Sequence, residues 1–317
     1  MTKIAIAIHG GAGTLVKGMM TPEKETAYRQ ALQKALDAGY KILENGASSM
    51  DAVEKAVQEL ENSHLFNAGK GSVFTATETH EMDASIMEGK NLKAGAVSLI
   101  TGIANPVSLA RDVMEKTEHV FLAGNGAMEF AKEVGYEIEN SDYFYDEFRH
   151  NQWLEIKGTD SFQLDHSKNT STPLSTRKDS KFGTVGAVAL DENGNIAAAT
   201  STGGMTNKKY GRVGDSPMIG AGNYANNETC AVSCTGSGEY FIRGVVAYDV
   251  SCLMEHKGLS LEEATKEVIQ NRIIKIGGDG GLIAIDIKGN ISLEFNTEGM
   301  YRGSKNNEGL DLVEIYK

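Results

Sequence analysis

The chain has 317 residues, a length that suits one large or two ordinary domains, and 40% of them are hydrophobic, enough for a sizeable core. Its 43 acidic and 31 basic residues give a net charge of −12, which argues against nucleic-acid binding because such proteins present a basic face. No apolar run approaches the roughly 20 residues that span a bilayer. We therefore expect a soluble protein that acts on a small molecule, without a nucleic-acid or membrane partner.

The first half of the chain is predicted to be mainly helical after one strand. Residues 4–8 are an apolar, β-branched run typical of a buried strand, and residues 9–13 (His-Gly-Gly-Ala-Gly) are predicted to form a glycine turn. Thr21-Pro22-Glu23 is a helix start, with a capping hydroxyl, proline at the first helical position and an acid in the first turn. Further helices are predicted from Ser48 to about Leu60, and near residues 106–116 and 125–134.

A polar segment divides the two halves. Residues from about 157 to 183 are rich in Ser and Thr and have no hydrophobic period, which predicts a linker. A loop of this length inside a compact protein is usually functional or disordered.

The second half is predicted to contain hairpins and helices. Residues 184–190 and 195–202 are apolar strands joined by the turn Asp191-Glu-Asn-Gly194. More strands are predicted at 231–235, 281–286 and 291–295, and helices at 238–254 and 260–273. Because sheets need helices to cover them, both halves together favour a helix–sheet–sheet–helix sandwich.

The three cysteines, Cys230, Cys234 and Cys252, are odd in number and lack metal-binding spacing. Cys230 and Cys234 alternate with apolar residues, which is typical of buried, reduced thiols on a strand. This cysteine usage fits a reducing compartment, so we expect a cytoplasmic protein.

The end of the linker delivers Thr184 to the first position of a buried strand, directly after Gly183. A threonine hydroxyl is a weak nucleophile until a base takes its proton. If the bond before Thr184 is cut, the new α-amine becomes that base, because its pKa of roughly 7.7–8.0 leaves much of it neutral near physiological pH. An ordinary strand start is the alternative interpretation of this segment.

Three other segments suit a site around Thr184. The partner strand ends in Thr200-Ser-Thr202, whose hydroxyls can lie beside it. Arg212 can clamp a carboxylate with two hydrogen bonds, and Asp215 can hold an ammonium, so together they suit an α-amino acid headgroup. The N–H groups of 233–238, where a strand meets a helix, can form an oxyanion hole. A surface ion pair is the alternative for Arg212 and Asp215.

Several long motifs follow one another in a single order over nearly the whole chain, except the linker and the final residues. They are His9-Gly-Gly-Ala-Gly13, Leu65-Phe-Asn-Ala-Gly69, Glu81-Met-Asp-Ala84, Gly183-Thr-Val-Gly-Ala-Val, Thr200-Ser-Thr-Gly-Gly-Met-Thr-Asn207, Gly211-Arg-Val-Gly-Asp215, Ser233-Cys-Thr-Gly236 and Phe295-Asn-Thr-Glu-Gly-Met300. This set resembles the plant-type asparaginases, also called isoaspartyl peptidases, which are threonine N-terminal-nucleophile hydrolases.

The resemblance implies a single domain over residues 1–317 with a four-layer αββα sandwich. It also implies self-cleavage between Gly183 and Thr184 into an α chain, 1–183, and a β chain, 184–317, which assemble as a dimer of αβ heterodimers. The intact chain would be a zymogen. The implied activity is hydrolysis of β-aspartyl dipeptides and L-asparagine through a β-aspartyl ester on Thr184, and the preferred substrate stays open.

The resemblance also implies residue roles. Thr184 resembles the nucleophile, Thr202 the supporting hydroxyl and Asn67 a residue beside the nucleophile. Thr235 and Gly236 resemble the oxyanion-stabilising pair, and the substrate headgroup is expected at Arg212, Asp215, Thr235, Gly236 and Gly238. No organic cofactor is expected. A structural sodium ion is expected on the backbone carbonyls of Leu60, Glu61, Ser63, Phe66, Ala68 and Lys70.

Three other functional classes share features with this sequence. Gly10–Gly13 and Gly220-Ala-Gly222 match neither GxGxxG nor a P-loop, which disfavours a nucleotide-binding module. A structural or binding role for an uncleaved relative stays open. A glycosylasparaginase would share the nucleophile, but those enzymes are typically secretory and disulfide-bearing. His80-Glu-Met-Asp83 resembles half of a metal site without a second histidine at helical spacing.

Overall fold

Two β-sheets face each other between outer layers of helices in the structure, a computed structural model that describes residues 2–159 and 183–317. The first three long helices pack on the outer face of the larger sheet, and later helices cover the outer face of the smaller one. The four-layer αββα sandwich predicted from the sequence is therefore confirmed. The predicted linker falls almost wholly on residues 160–182, which lie outside the described residues.

The larger sheet has eight strands and the smaller has four, within the part of the chain that the structure describes. In chain order the strands are β1 Ala5–Gly13, β2 Met82–Glu88, β3 Ala94–Ile100, β4 Phe121–Ala123, β5 Thr184–Leu190, β6 Ile196–Thr202, β7 Asn223–Ala225, β8 Cys230–Gly236, β9 Gly280–Asp286, β10 Ile291–Phe295, β11 Gly299–Asn306 and β12 Asp311–Tyr316. The larger sheet runs β12-β11-β1-β5-β6-β2-β3-β4, and the smaller runs β10-β9-β8-β7.

The helices begin and end where local chemistry allows. They are α1 Pro22–Glu44, α2 Ser49–Glu61, α3 Pro106–Lys116, α4 Gly124–Glu133, α5 Ser141–Phe144, α6 Glu147–Ile156, α7 Gly238–Gly244, α8 Val246–Lys257, α9 Leu261–Lys266 and α10 Ile273–Lys275. The Thr21 side chain accepts the N–H of Lys24 at the start of α1, and Ser48 and Asp51 form a capping box on α2. These caps satisfy N–H groups that would otherwise lack partners.

Side-chain alternation along the central strands fills both sides of the larger sheet. Ala187 and Ala199 face the helices, whereas Val188 and Ala198 face the smaller sheet. By the same alternation, Thr184 and Thr202 lie on the face that meets the smaller sheet. The ends of β5 and β6 therefore place two hydroxyl groups between the sheets.

Two local predictions were wrong. Residues 9–13 are not a turn: they continue β1 through a bulge between His9 and Gly11. Glycine is needed there because a Cβ on Gly10 would lie 2.5 Å from the Phe66 ring. The helix predicted over 238–254 is broken at Val245, whose φ of +48° is left-handed and ends α7 before α8 begins.

The helix predicted over 260–273 is present as one continuous helical run from Leu261 to Lys275, with a local change of geometry. After α9, residues Glu267–Arg272 form a π-helical turn before the short α10. No helix among the described residues is long and apolar enough to cross a membrane.

Candidate active site

Thr184 is the first residue of β5 and pairs with Thr202 at the end of β6. Only 8% of Thr184 is exposed. Its Oγ1 donates to Oγ1 of Thr202 over 3.3 Å while Gly183 is still bonded to its nitrogen. The hairpin predicted from the sequence thus brings these two hydroxyl groups together.

The Thr202 hydroxyl is the centre of a small hydrogen-bond network. It donates to the carbonyl oxygen of Gly183 at 3.0 Å and accepts the N–H of Gly204 at 3.0 Å. One hydroxyl therefore contacts both the side chain of Thr184 and the carbonyl of the peptide bond before it. A donor on that oxygen polarises the carbonyl toward attack.

Asn67 packs behind this peptide bond. Its Nδ2 donates to the Gly204 carbonyl at 2.7 Å, and its Oδ1 accepts the N–H of Val73 at 3.1 Å. A Cβ on Gly183 would lie 2.3 Å from Cβ of Asn67, so the position before Thr184 has room only for glycine. Asn67 fixes the loop around Gly204, which in turn orients the Thr202 hydroxyl.

His9 holds the main chain of Thr184 from the other side. Its Nδ1 lies 3.2 Å from the Thr184 carbonyl oxygen, and its Nε2 lies 2.9 Å from Oγ of Ser233. Burial lowers the pKa of His9 to about 3, so the ring is neutral. Since a carbonyl only accepts, Nδ1 carries the proton and Nε2 accepts from Ser233.

The space for this imidazole comes from Gly186, which pairs with His9 across β1 and β5. A Cβ on Gly186 would lie 2.0 Å from Oγ of Ser233 and 2.5 Å from Nε2 of His9. Sequence analysis did not assign His9 to the site. A histidine followed by glycines at the end of a buried strand was the available signal.

Arg212 makes a two-pronged ion pair that was not predicted. Its Nε donates to Oε1 of Glu239 at 2.9 Å and its Nη2 donates to Oε2 at 3.0 Å. Burial raises the pKa of Glu239, but the bonds and charge of Arg212 outweigh it and the net pKa is lowered. Glu239 lies in the first turn of α7, next to Gly238.

Asp215 is buried beside this arginine, and its Oδ2 has no hydrogen-bond partner among the described residues. Burial raises the pKa of Asp215 to about 7, against the opposing charge of Arg212. A Cβ on Gly238 would lie 2.8 Å from Nη2 of Arg212 and 3.0 Å from Oδ1 of Asp215. The absence of a side chain at Gly238 therefore leaves space between the two charged groups.

Thr235 and Gly236 end β8, in the smaller sheet. Thr235 is fully buried, and its Oγ1 lacks a partner within residues 2–159 and 183–317. A small depression brings Gly236 together with the hydroxyl network and the charged groups. Its lining residues are Gly183, Thr184, Thr202, Gly204, Arg212, Gly214, Asp215, Ser216 and Gly236. Asn67, Thr235 and Gly238 are not among these lining residues.

Lys208 and Asp83 are two buried charged residues next to the residues that line the depression. The Lys208 side chain is 1% exposed, and its Nζ donates to the Glu81 carbonyl at 2.9 Å. Asp83 pairs with Thr202 in the sheet and accepts the N–H of Leu99. Burial lowers the pKa of Lys208 and raises that of Asp83, although each charge favours the other. Sequence analysis missed Lys208.

The His80–Asp83 segment, which resembles half of a metal site, is part of the packed interior. His80, the start of the half site, bonds the Ser72 carbonyl through Nδ1 at 3.0 Å, and burial lowers its pKa to about 4. Within the described ranges, no three His, Cys, Asp or Glu side chains form a cluster suited to a metal ion.

The predicted sodium loop joins α2 to a 3₁₀ turn at Gly69–Gly71. The carbonyls of Phe66 and Ala68 each accept one backbone N–H, which leaves a second lone pair on each oxygen, whereas that of Leu60 accepts the N–H groups of both Asn62 and Ser63. The Lys70 ammonium lies 5.3 Å from the centre of the Tyr143 ring, where its charge is held by the aromatic face. Carbonyl oxygens are a ligand type suited to a hard cation, and the sodium ion on this loop stays a prediction.

Glu61 is a buried acidic residue at the start of that loop. It is fully buried, and its carboxyl accepts the N–H of Val107 at 3.0 Å and Nδ2 of Asn105 at 3.1 Å. Burial raises the pKa of Glu61 to about 8, which outweighs these hydrogen bonds. The Glu61 side chain thus caps the N-terminus of α3 largely in its neutral form at pH 7.

Comparison with known proteins assigns the chain to a family over almost its whole length. The family model described as asparaginase matches residues 2–315. The chain is 52% identical over 302 residues to the isoaspartyl peptidase of Escherichia coli (strain K12), covering 95% of this chain and 92% of the relative. It is 42% identical over 299 residues to the plant-type L-asparaginase of Pyrococcus abyssi, covering 94% of each. The chain therefore belongs to the asparaginase family of hydrolases.

Proposed function

We propose that this chain cuts its own backbone between Gly183 and Thr184, and that the freed Thr184 then hydrolyses L-asparagine and β-aspartyl dipeptides. The observation that carries the proposal is the double contact of the Thr202 hydroxyl. It touches the proposed nucleophile, Oγ1 of Thr184, and the carbonyl oxygen of Gly183, whose carbon that nucleophile would attack.

The first reaction is an N-to-O acyl shift. Oγ1 of Thr184 attacks the Gly183 carbonyl carbon and loses its proton, while the Thr202 hydroxyl stabilises the developing oxyanion. The C–N bond then breaks, the Thr184 nitrogen takes up the proton, and an ester joins Gly183 to Oγ1. Water hydrolyses this ester, which frees the Gly183 carboxylate, the Thr184 hydroxyl and the Thr184 amine.

The second reaction uses that new amine. With a pKa of roughly 7.7–8.0, the free amine of Thr184 accepts the proton of its own hydroxyl near neutral pH. Oγ1 then attacks the side-chain amide carbonyl of the substrate, forming a β-aspartyl ester and releasing ammonia or an amine. Water attacks the ester and releases aspartate. We assign Thr235 and Gly236 to the oxyanion of this step.

The substrate class follows from the charged end of the depression. Arg212 suits an α-carboxylate and Asp215, with its unpartnered Oδ2, suits an α-ammonium. L-Asparagine and β-aspartyl dipeptides share that headgroup and differ in the leaving group. The names of the relatives, isoaspartyl peptidase and isoaspartyl peptidase/L-asparaginase, support the same substrates.

Assembly and location belong to the same proposal. We propose a dimer of αβ heterodimers, with a sodium ion on the loop of residues 60–70, in the cytoplasm. The free thiols of Cys230 and Cys234, both buried, support a reducing compartment.

A denaturing gel and an activity assay test the function together. The 34.0 kDa chain should yield bands of about 20 and 14 kDa, in proportion to the residues on each side of the bond. Thr184→Ala should remain a single inactive band, and wild-type protein should release ammonia from asparagine and leucine from β-aspartyl-leucine. Two bands from Thr184→Ala, or a cut wild type inactive on both substrates, would overturn the proposal.

A further inference from the structure

The guanidinium of Arg212 is already engaged by a carboxylate of its own chain. Glu239 holds it along the edge formed by Nε and Nη2, with both hydrogen bonds at or below 3.0 Å. Arg212 is mostly buried, with 21% of its side chain exposed, whereas the Glu239 side chain is 57% exposed. This pair is anchored at the rim of the depression that we assign to the substrate headgroup.

The opposite edge of the guanidinium, formed by Nη1 and Nη2, is bordered by two glycines. A Cβ on Gly214 would lie 2.9 Å from Nη1, and a Cβ on Gly238 would lie 2.8 Å from Nη2. A guanidinium has five N–H donors in a fixed plane, and Glu239 uses two of them. Within residues 2–159 and 183–317, three donors thus remain for a second carboxylate on the edge bordered by the glycines.

Besides Glu239, Asp83 and Asp215 lie within electrostatic reach of Arg212, and Asp215 lines the same depression as the arginine. Asp215 is buried, its Oδ2 has no partner in the described part of the chain, and the charge of Arg212 stabilises its ionised form. Without Glu239, a direct Arg212–Asp215 salt bridge would satisfy both buried charges. That bridge would consume the two groups needed for the α-carboxylate and the α-ammonium of a substrate.

We propose that Glu239 is a positioning residue that keeps Arg212 turned away from Asp215, so that both can bind the α-amino acid headgroup at once. This inference rests on the proposed function and assigns a specificity role within it. Glu239 stays paired while the substrate carboxylate binds the open edge of the guanidinium. The chain therefore selects for substrates with an α-carboxylate through a residue that does not touch them.

The test measures KM and kcat for asparagine in Glu239→Gln and Glu239→Ala, with Glu228→Gln as the control for loss of an exposed carboxylate. We expect KM to rise about 10-fold or more in both Glu239 variants, the scale of one lost bidentate contact, while kcat stays within about three-fold. Self-cleavage should be unchanged, because Glu239 is not part of the hydroxyl network around Gly183.

The pH profile is a second readout that a merely structural role would not move. Burial raises the pKa of Asp215, the charge of Arg212 lowers it, and the charges of Glu239 and Asp83 raise it, so removing Glu239 should shift the acid limb of kcat/KM to lower pH. Both variants should still unfold within a few degrees of wild type, because Glu239 is exposed.

Three outcomes would overturn the proposal. A lower KM would mean that Glu239 competes with the substrate for Arg212. An unchanged KM would mean that the Arg212–Glu239 pair does not affect substrate binding. A fall in kcat together with a fall in melting temperature would mean that Glu239 has a structural role only. These results differ from failure of the proposed function, in which the cut wild-type enzyme acts on neither asparagine nor β-aspartyl-leucine.

Discussion

The imidazole of His9 donates to the main-chain carbonyl of Thr184 across 3.2 Å, although the two residues lie 175 positions apart in the chain. β1 pairs with β5 only as far as His9 and Gly186, so the His9 side chain extends the contact to the first residue of β5. After the proposed cut, Thr184 would be a chain terminus. His9 would then hold the position of that terminus from the other chain.

Replacing His9 by phenylalanine should destabilise the fold and slow self-cleavage. The variant leaves the buried Thr184 carbonyl without this partner, at a cost of about 1–3 kcal/mol, whereas the Ser233 hydroxyl keeps its hydrogen bond with Thr200. Urea unfolding and the rate of appearance of the two bands measure both effects. His119→Phe, at an exposed position, is the control. A normal cleavage rate in His9→Phe would contradict the positioning role.

Removal of the Thr202 hydroxyl should impair both proposed reactions. Thr202→Ala loses the donor to the Gly183 carbonyl and the partner of Oγ1 of Thr184. We expect self-cleavage to slow by about 10²-fold or more, the usual effect of losing one oxyanion donor, while Thr202→Ser keeps most of the rate. Timed gels of freshly refolded protein give the rates. Equal rates in the Ala and Ser variants would exclude a role for the hydroxyl.

A single methyl group at residue 238 should separate substrate use from maturation. Gly238→Ala places a Cβ between Arg212 and Asp215, so KM for asparagine should rise by about 10-fold or more while the chain still cuts itself. Gly126→Ala is the matched control, because a Cβ there meets nothing within 4 Å. Unchanged KM in Gly238→Ala would place the headgroup elsewhere.

The acid limb of kcat/KM on asparagine should reflect Asp215. Burial raises the pKa of Asp215 to about 7, so its charge is present above that pH and lost as the pH falls through it. The substrate ammonium lowers this pKa once bound. In the free enzyme both Asp215 and the Thr184 amine must be unprotonated, so we expect kcat/KM to fall more steeply below about pH 7 than kcat at saturating asparagine, which follows the amine alone. A pH-independent ratio from 5.5 to 8 would be inconsistent with the assignment.

Glu61 predicts a pH effect on stability rather than on activity. Burial raises its pKa from the ordinary 4.5 to about 8, so the stabilising contribution of its neutral form is full at low pH and is lost as the pH rises through about 8. Glu61→Gln keeps the neutral shape. Its melting temperature relative to wild type should increase between pH 5 and pH 8.5, measured at fixed sodium concentration. A constant difference would refute the raised pKa.

Local sequence patterns predicted many of the strands and helices, and they predicted that Thr184 and Thr202 lie side by side. The β5–β6 hairpin was predicted because two apolar strands flank Asp191-Glu-Asn-Gly194, and its register places Thr184 opposite Thr202. The span of α3, Pro106–Lys116, matches the predicted helix because Pro106 marks its first position. In both places the physical signal lies within a few residues of the element that it specifies.

The features that were missed depend on distant parts of the chain. His9 meets Thr184, Arg212 meets Glu239 and Lys208 meets Glu81 through tertiary packing that no local pattern encodes. Strands β2 and β3 are buried almost throughout, so they lack the polar alternation that identifies a half-exposed strand. The left-handed Val245 is disfavoured for a β-branched residue, so only its surroundings can impose it.

The strand order of the larger sheet gives the proposed cut an unusual consequence. β1, from before the cut, lies between β11 and β5 from after it, and β6 pairs in turn with β2 from before it. Strands of the two products would alternate within one sheet, and the hydrogen bonds between these strands would remain intact. Separating them would mean unfolding both, so the covalent link is needed to form this arrangement and not to maintain it. Mature chains that have been denatured and mixed should regain activity far less efficiently than the intact precursor.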